Sequence, residues 1–465
     1  MASRSLQTQM TGIEVTGQNL ANINTTGYSR QRVQISASPD TLSSVGPEGT
    51  GADATSIQQV VDDLLNNQIQ SQGSTSGYWN GQQTALQNAQ NGLDEFLNGS
   101  SAATSTGATG STTDSGLGSQ LSGLFNSFQS VATSPTSISA RQALIGQAQT
   151  LAASFNNINT QLNNVSSSLN SSLKDNVTSA NQLLTQIATL NGQIATAKQS
   201  GGNPNDLSDE REQDLENLSQ LTNITTSNGT NGVVNITIGG QTLVTGNKLN
   251  DSLQTYDPGN GNLLVQTATG GVNLTLTGGS MQGTIDARDG TLATLQGSIN
   301  TLANQLITQV NSVNSNGYGL TGTTGNNFFN GTNAGTITVN AALVGNPSLI
   351  QASGSATASG DNTVALQLAQ LATTAQGGLN NQTFSDSYNS TVAGLGESLN
   401  NANNQVADQT AVNSMLSTQR GSISGVNVDE EMTNMMTFQR AYEASAQLVT
   451  TVNTLLGDTL AMKTP

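Results

Sequence analysis

The strongest constraint on how this chain folds is an apolar register that runs from Leu144 to Ile194. Leu144, Ala148, Leu151, Phe155, Ile158, Leu162, Val165 and Leu169 follow one another at alternating spacings of four and three residues, which brings all of them to one face of a helix. After Leu169 the phase slips by one residue across the serines at 166–168 and 171–172, and the register resumes as Leu173, Val177, Ala180, Leu184, Ile187, Asn191 and Ile194. Such a slip bends or locally unwinds a supercoil without ending the helix. Gly201-Gly-Asn-Pro204 ends it. The seam needs cover along its whole length, so the rest of the chain must supply helices or a sheet to pack on it.

The same spacing recurs at both ends of the chain. Leu6, Met10, Ile13, Gly17 and Leu20 form a short seam with one small gap at Gly17, and Asn22, Asn24, Thr25, Thr26 and Gly27 break it. A second helical region is expected from Ser56 to about Asn98, interrupted or kinked at Gly73-Ser-Thr-Ser-Gly77, followed by an exposed Ser/Thr/Gly loop from Gly99 to Gly118. Helix returns at Thr291 and runs through Leu292, Leu295, Ile299, Leu302, Leu306, Val310 and Val313. A short helix follows around Val364 to Leu371, and a longer one through Tyr388, Val392, Leu395, Leu399, Ala402 and Val406 toward Leu416.

The last helix, from Val428 to Met462, would be about 52 Å long at 1.5 Å per residue. It carries two seven-residue rows, one of Val428, Met435, Tyr442, Val449 and Leu456 and one of Ala441, Leu448, Leu455 and Met462. Two rows make an apolar surface wider than one partner helix can cover. This end is therefore expected to pack on the N-terminal helix and on neighbouring molecules as well.

The period changes between residues 232 and 276. Val234, Ile236 and Ile238 alternate with polar residues, Gly239-Gly240 follows, and Leu243 and Val244 open another short run, a hairpin signal. Leu253 to Tyr256, the turn Asp257-Pro-Gly-Asn-Gly-Asn262, Leu263 to Gln266, and then Val272, Leu274 and Leu276 continue it as a small antiparallel β domain. The expected fold is mainly α with a β insertion: an elongated molecule whose N- and C-terminal helices pair in a coiled-coil-like layer, followed by a long-helix bundle layer. The corresponding units are residues 1–38 plus 427–465 for the terminal helical assembly domain, 39–222 plus 280–426 for the long-helix body, and 223–279 for the β domain. The Gly/Asn/Thr-rich stretch 314–362, with one strand-like patch at Thr336 to Val339, reads as an inserted loop or subdomain.

Composition narrows the chemistry. The chain has no His and no Cys, which excludes Ser-His and Cys-His catalysis, thiolate nucleophiles, and zinc or iron–sulfur centres built on those residues. No cofactor is expected. With 12 Lys+Arg against 29 Asp+Glu and a net charge of −17 there is no basic patch for nucleic acid. No run approaches the roughly 20 apolar residues of a membrane span, so no membrane insertion is expected, and the first residues lack the pattern of a cleaved signal.

The acidic clusters read as helix starts. Asp429-Glu-Glu431 lie side by side and do not face one another as a catalytic pair would, whereas carboxylates in a first helical turn complement the macrodipole. Asp206 or Ser208 is the expected N-cap of a helix that also carries Asp209 and Glu210. Neither cluster has the spacing of a calcium loop. The Asn-x-Ser/Thr triplets, such as those at Asn98 and Asn176, are expected by chance in a chain this rich in those residues.

Three stretches carry a family resemblance. The run Leu20-Ala-Asn-Ile-Asn-Thr-Thr-Gly-Tyr-Ser-Arg-Gln-Arg32 resembles the N-terminal signature of bacterial flagellar axial proteins, and its Gly27-Tyr-Ser-Arg-Gln31 form is similar to the first hook-associated protein family, the hook–filament junction proteins. Asp206-Leu-Ser-Asp-Glu-Arg-Glu-Gln-Asp-Leu215 with Val234-Asn-Ile-Thr-Ile-Gly-Gly-Gln-Thr-Leu-Val244 resembles that family's central helix end and first hairpin. Gly425-Val-Asn-Val-Asp-Glu-Glu431 with Phe438-Gln-Arg-Ala-Tyr-Glu-Ala-Ser-Ala446 resembles its closing signature. Thr26 departs from the pattern, since relatives usually have Pro there. The stretch 314–362 matches no motif.

The resemblance implies a structural, non-enzymatic subunit of an extracellular flagellum, joining hook to filament and needed for filament growth. It implies a homo-oligomeric axial ring, contacts with the hook protein and a second junction protein, and a cytosolic export chaperone on the C-terminal helix. It also implies export in an unfolded state through the flagellar type III apparatus. The expected assembly interface comprises Leu6, Met10, Ile13 and Leu20, the turn residues Asn22, Asn24, Gly27 and Tyr28, the cations Arg30 and Arg32, and Val428, Met435, Phe438, Tyr442, Val449 and Leu456. Arg30 and Arg32, opposed to Asp429–Glu431, are expected to set the register between the chain ends. The alternatives are another axial protein, a hook or rod subunit, and a wall hydrolase on an axial scaffold, which would need a carboxylate pair in a cleft.

Overall fold

The computed structural model describes residues 1–43, 46–98 and 116–462. Helix α1 (Ala2–Ala21) is followed by a hairpin, β1 (Gln31–Ala37) and β4 (Ala52–Gln59), whose far end carries the short pair β2 (Thr41–Ser43) and β3 (Gly46–Glu48). Three helices come next: α2 (Asp63–Asn98), α3 (Leu117–Thr133) and α4 (Ile138–Gln199), which at 62 residues is the longest of the described elements. Helix α5 (Asn205–Leu221) leads into a four-stranded antiparallel sheet in sequential order, β5 (Ile224–Asn228), β6 (Val234–Ile238), β7 (Gln241–Thr245) and β8 (Lys248–Leu249). A separate hairpin of β9 (Leu253–Tyr256) and β10 (Leu264–Thr267) completes the insertion.

The chain then returns through α6 (Gly279–Asp286), a π-helical turn (Ala287–Leu292) and α7 (Ala293–Asn314). The two-residue strands β11 (Phe329–Asn330) and β12 (Thr338–Val339) pair with each other, and α8 (Ala341–Gly345) and α9 (Thr363–Gln370) follow. The chain closes with α10 (Phe384–Ser424) and α11 (Val428–Ala461). The fold is mainly α with a β insertion, as the periodicity predicts.

The long register works as expected, with every apolar position named from Leu144 to Ile194 buried. The phase slip acquires a meaning the sequence did not supply. Residues of α4 up to Leu169 belong to one apolar core, shared with α2, α3, α7, α9 and α10. From Leu173 onward they belong to a second core, shared with α5, α6 and the β strands. The slip is where one helix passes from one core to the other.

Several local expectations need correction. Ser56 to Gln59 are the end of strand β4, and α2 begins only at Asp63. Gly73 and Gly77 do not interrupt α2. They admit α5: a Cβ on Gly77 would lie 2.0 Å from the Gln220 carbonyl oxygen, so glycine permits close backbone approach there. Residues 99–115 of the expected exposed loop lie outside the described residues, and Leu117, at its end, is already buried in α3. Val272 to Leu276 form no strand beyond a single bridge between Gln266 and Asn273. Helix returns at Gly279, earlier than Thr291, because two glycines and a serine hide the start of α6 from periodicity. The stretch 314–362 is built around Phe328, Phe329, Ile337, Leu343 and Ile350, all buried in the first core.

Candidate assembly site at the base of the terminal helices

Helices α1 and α11 pack antiparallel. Ser5 meets Ser445 through their hydroxyls at 2.8 Å, Gly12 lies under the ring of Phe438, Gly17 faces the Met435 methyl, and Asn19 donates to Glu431. The approach is close because the facing residues are small: a Cβ on Gly12 would stand 2.7 Å from the Phe438 ring.

The residues of α1 buried in the single chain are Thr8, Gly12, Val15, Thr16 and Asn19, not the apolar row Leu6, Met10, Ile13 and Leu20. Thr8 bonds the Ala52 carbonyl of the hairpin and Thr16 bonds back to Gly12, which leaves no buried hydroxyl unpaired on this face. Leu6, Ile13 and Leu20 are half-buried and Met10 is 53% exposed. On α11, Met435 and Phe438 are half-buried against α1 and Val449 is half-buried, while Val428, Tyr442 and Leu456 are exposed. The second row is barer still, with Leu448 at 54%, Leu455 at 60% and Met462 at 85% exposure. Among the residues of α11 only Glu431 is buried.

Below this pair lies a polar node. The Asn19 side chain donates to the Gln31 carbonyl at 2.8 Å and to Glu431 Oε2 at 2.9 Å, and its Oδ1 accepts from the Gln31 amide at 2.9 Å and the Tyr28 hydroxyl at 2.8 Å. Every polar valence of that buried amide is used. Arg30 reaches Glu430 Oε2 at 2.8 Å and places Nε 2.7 Å from Glu431 Oε1, an ion pair whose alignment falls short of a hydrogen bond on that oxygen. Its backbone bridges two further segments, since the Arg30 amide donates to the Ser424 carbonyl at the end of α10 and its carbonyl accepts from Val60 just after β4. Residue 30 thus joins the N-terminal segment, the hairpin and both C-terminal helices.

Helix α5 forms the floor. Asp206 accepts from Gln31 Nε2 at 2.8 Å, and Asp209 accepts the Ser29 amide at 2.9 Å. The expected N-cap is corrected here: Pro204 occupies that position with no side-chain cap, and Ser208 turns its hydroxyl back to the Pro204 carbonyl at 2.9 Å. The acids of α5 therefore hold the N-terminal segment instead of capping their own helix. Burial pushes the Asp209 carboxyl up against the pull of its hydrogen bonds to Ser29. Burial, with the nearby charges of Asp206, Asp209 and Glu431, lifts the Tyr28 hydroxyl to about 12, so it remains a donor to Asn19 at any physiological pH.

Of the expected site residues, the structure brings Tyr28 and Arg30 into the node. Gly27 makes the turn with φ +81, a left-handed conformation that suits glycine. Asn22 closes α1 by donating to the Gln18 carbonyl at 3.0 Å and accepting from Thr25 at 3.1 Å. Asn24 is exposed, and Arg32 is exposed on β1 with no ion pair among the described residues. Asp429–Glu431 occupy the first turn of α11 as expected, where Asn427 caps the Asp429 and Glu430 amides. Sequence reasoning missed Asn19 and Gln31. The available signal was the row of small and polar residues Thr8, Gly12, Val15 and Asn19, which has the same four-three-four spacing as the apolar row chosen. A groove of about 260 Å³ beside the node is lined by Tyr28, Asp209, Glu212, Arg420 and neighbouring residues, and Arg420 there pairs with Glu216. Among the described residues no cluster of acids is arranged to hold a metal ion.

Residues 106–329 match the helical-domain model of flagellar hook-associated protein FlgK. Flagellar hook-associated protein 1 of Bacillus subtilis is 29% identical over an alignment of 503 positions that spans 98% of this chain and 96% of that protein. The chain belongs to the flagellar hook-associated protein 1 family. The family member of Escherichia coli is 40% identical over 74 residues, 16% of this chain and 14% of that protein. The structure of the flagellar hook junction protein FlgK from Burkholderia pseudomallei superposes with a TM-score of 0.63 at 19% identity, covering 77% of this chain and all of that one, and so shares the fold. Residues 414–462, the end of α10 and all of α11, also match the C-terminal model of the flagellar basal body rod FlgEFG proteins, so this family member carries a C-terminal segment common to several axial proteins. No helix among its described residues is long and apolar enough to cross a membrane.

Proposed function

We propose that this chain is the structural subunit that joins hook to filament in a bacterial flagellum, working as a ring of identical copies on which the filament is assembled. The observation that carries this reading is the uncovered end of α11, where Leu448, Leu455 and Met462 stand more than half exposed and every residue from Thr450 to Met462 is exposed. An apolar row of this extent on an otherwise polar chain marks an interaction surface. Neighbouring copies would cover it, together with Met10, and the hook protein and a second junction protein would meet the ends of the ring. Before assembly the same row would need a cytosolic chaperone, consistent with export through the flagellar type III apparatus in an unfolded state.

The role is mechanical and not enzymatic. The acids of α5 are already engaged, Asp206 and Asp209 with the N-terminal segment and Glu216 with Arg420. Electron microscopy of cells that make hooks but no filament tests the reading: label on this chain should sit at the hook tip. Label along the hook or within the rod would favour another axial role, which the rod-type C-terminal match makes the nearest alternative.

A further inference from the structure

Methionine is placed in this chain against its usual habit. It ranks among the residue types most often buried, yet of the eight in the sequence only Met281 lies in either apolar core. The long seam of α4 uses none. Met435 is half-buried, its methyl 4.0 Å from where a Cβ on Gly17 would stand. The other six are all more than half exposed. Met1 and Met10 belong to the N-terminal end, Met415 to α10, Met432 and Met436 to α11, and Met462 closes that helix. The terminal pair α1 and α11 therefore carries Met10, Met432, Met436 and Met462 with their side chains in water, and Met462 ends the same row as Leu448 and Leu455.

An unbranched thioether moulds itself to irregular apolar surfaces, which suits a helix that must be covered by another molecule. The same sulfur is open to oxidation. The chain has no Cys, so no thiol competes for an oxidant, and exposure decides which thioethers react. A peroxide transfers one oxygen to the sulfur: a sulfur lone pair forms the S–O bond, the O–O bond breaks, and the rest of the peroxide leaves as water or an alcohol. The sulfur loses two electrons and the peroxide gains them. The product is a sulfoxide, polar and chiral where the thioether was apolar, and such a change disrupts methionine-bearing interfaces. At positions that face water the single chain tolerates it, so the cost falls on whatever docks there.

We propose that Met10, Met432, Met436 and Met462 form a modification site at which peroxide, acting before assembly, converts the thioethers to sulfoxides and blocks docking of the terminal helices. The site follows from exposure; its effect on docking rests on the functional reading above. Hydrogen peroxide applied to the folded full chain, with sulfoxide followed by peptide mass spectrometry, should oxidise these four and Met415 about tenfold or more faster than Met281, with Met435 between. The treated chain should then sediment about tenfold less with hooks from a strain lacking the protein. Reduction by the two stereospecific methionine sulfoxide reductases with a dithiol should restore the binding. A chain combining Met10→Leu, Met432→Leu, Met436→Leu and Met462→Leu should sediment alike before and after peroxide, whereas Met415→Leu should leave the loss in place. Oxidation of Met281 as fast as the four, or a sulfoxide form that binds hooks as the untreated form does, would overturn the proposal. An untreated chain that fails to bind hooks would instead remove the functional reading, and the order of oxidation would still decide the site.

Discussion

Replacing Arg30 with alanine strands the carboxylate of Glu431, which is 1% exposed. Removing one partner of a buried ion pair costs about 3–5 kcal/mol. Two features place this case at the lower end: the Arg30 side chain is itself 24% exposed, and Glu431 keeps the bond from Asn19 at 2.9 Å. The expected loss of about 3 kcal/mol is felt by the unit the pair holds, α1 against the first turns of α11, so it appears as roughly a hundredfold loss of amide protection in those helices. Adding Glu431→Gln to the Arg30→Ala chain removes the stranded charge and keeps a group for Asn19, and should restore most of the protection. Glu430→Ala is the control. Its carboxylate is 58% exposed, and the exposed half of the interaction is worth about 0.5 kcal/mol. Hydrogen exchange resolved by peptide measures all four chains. A change under threefold for Arg30→Ala, or a double variant less protected than Arg30→Ala alone, would refute the reasoning.

Other perturbations follow from the same packing. Gly77→Ala drives a methyl to 2.0 Å from the Gln220 carbonyl and should destabilise by about 3 kcal/mol in urea unfolding, whereas Gly297→Ala in α7, with nothing within 4 Å, should be neutral or stabilising by up to about 1 kcal/mol. Asp214, lifted by burial and then by the like charge of Glu210 from 3.8 to about 6, holds a proton in the folded chain that the unfolded chain releases. Its contribution to stability is therefore present below about pH 4 and declines as pH rises toward about 6, and urea midpoints of Asp214→Asn should show a flatter pH dependence than the unmodified chain over that window. Leu448→Ser with Leu455→Ser touches only exposed positions, so the melting of the isolated chain should change by less than about 0.5 kcal/mol while filament assembly in complemented cells is lost.

What the sequence made legible was what repeats. The α4 register, the paired terminal helices and the alternating run of β6 all follow from spacing, because each buries one face along its length. The hairpin β1–β4 was not read because only Gln31 of β1 is buried, leaving no alternation to detect. Glycines misled where their reason was a distant backbone: Gly77 looks like a break until Gln220 is placed beside it. At the candidate site, Arg30 and Glu431 were opposed in the sequence reading by their positions in two motifs, but their hub, Asn19, is a single amide inside a helix, and its worth comes from Tyr28, Gln31 and Glu431 converging on it in space. The apolar row of α1 was visible, but its small-residue neighbour was not: close approach to α11 within the chain selects the small row and leaves the large one half-covered.

The central claim is that this chain joins the finished hook to the filament, and a strain lacking it tests that most directly. The account predicts complete hooks without filaments and filament protein released into the medium, with both defects repaired by the intact chain. Absent or unfinished hooks, or filaments of normal length, would contradict it.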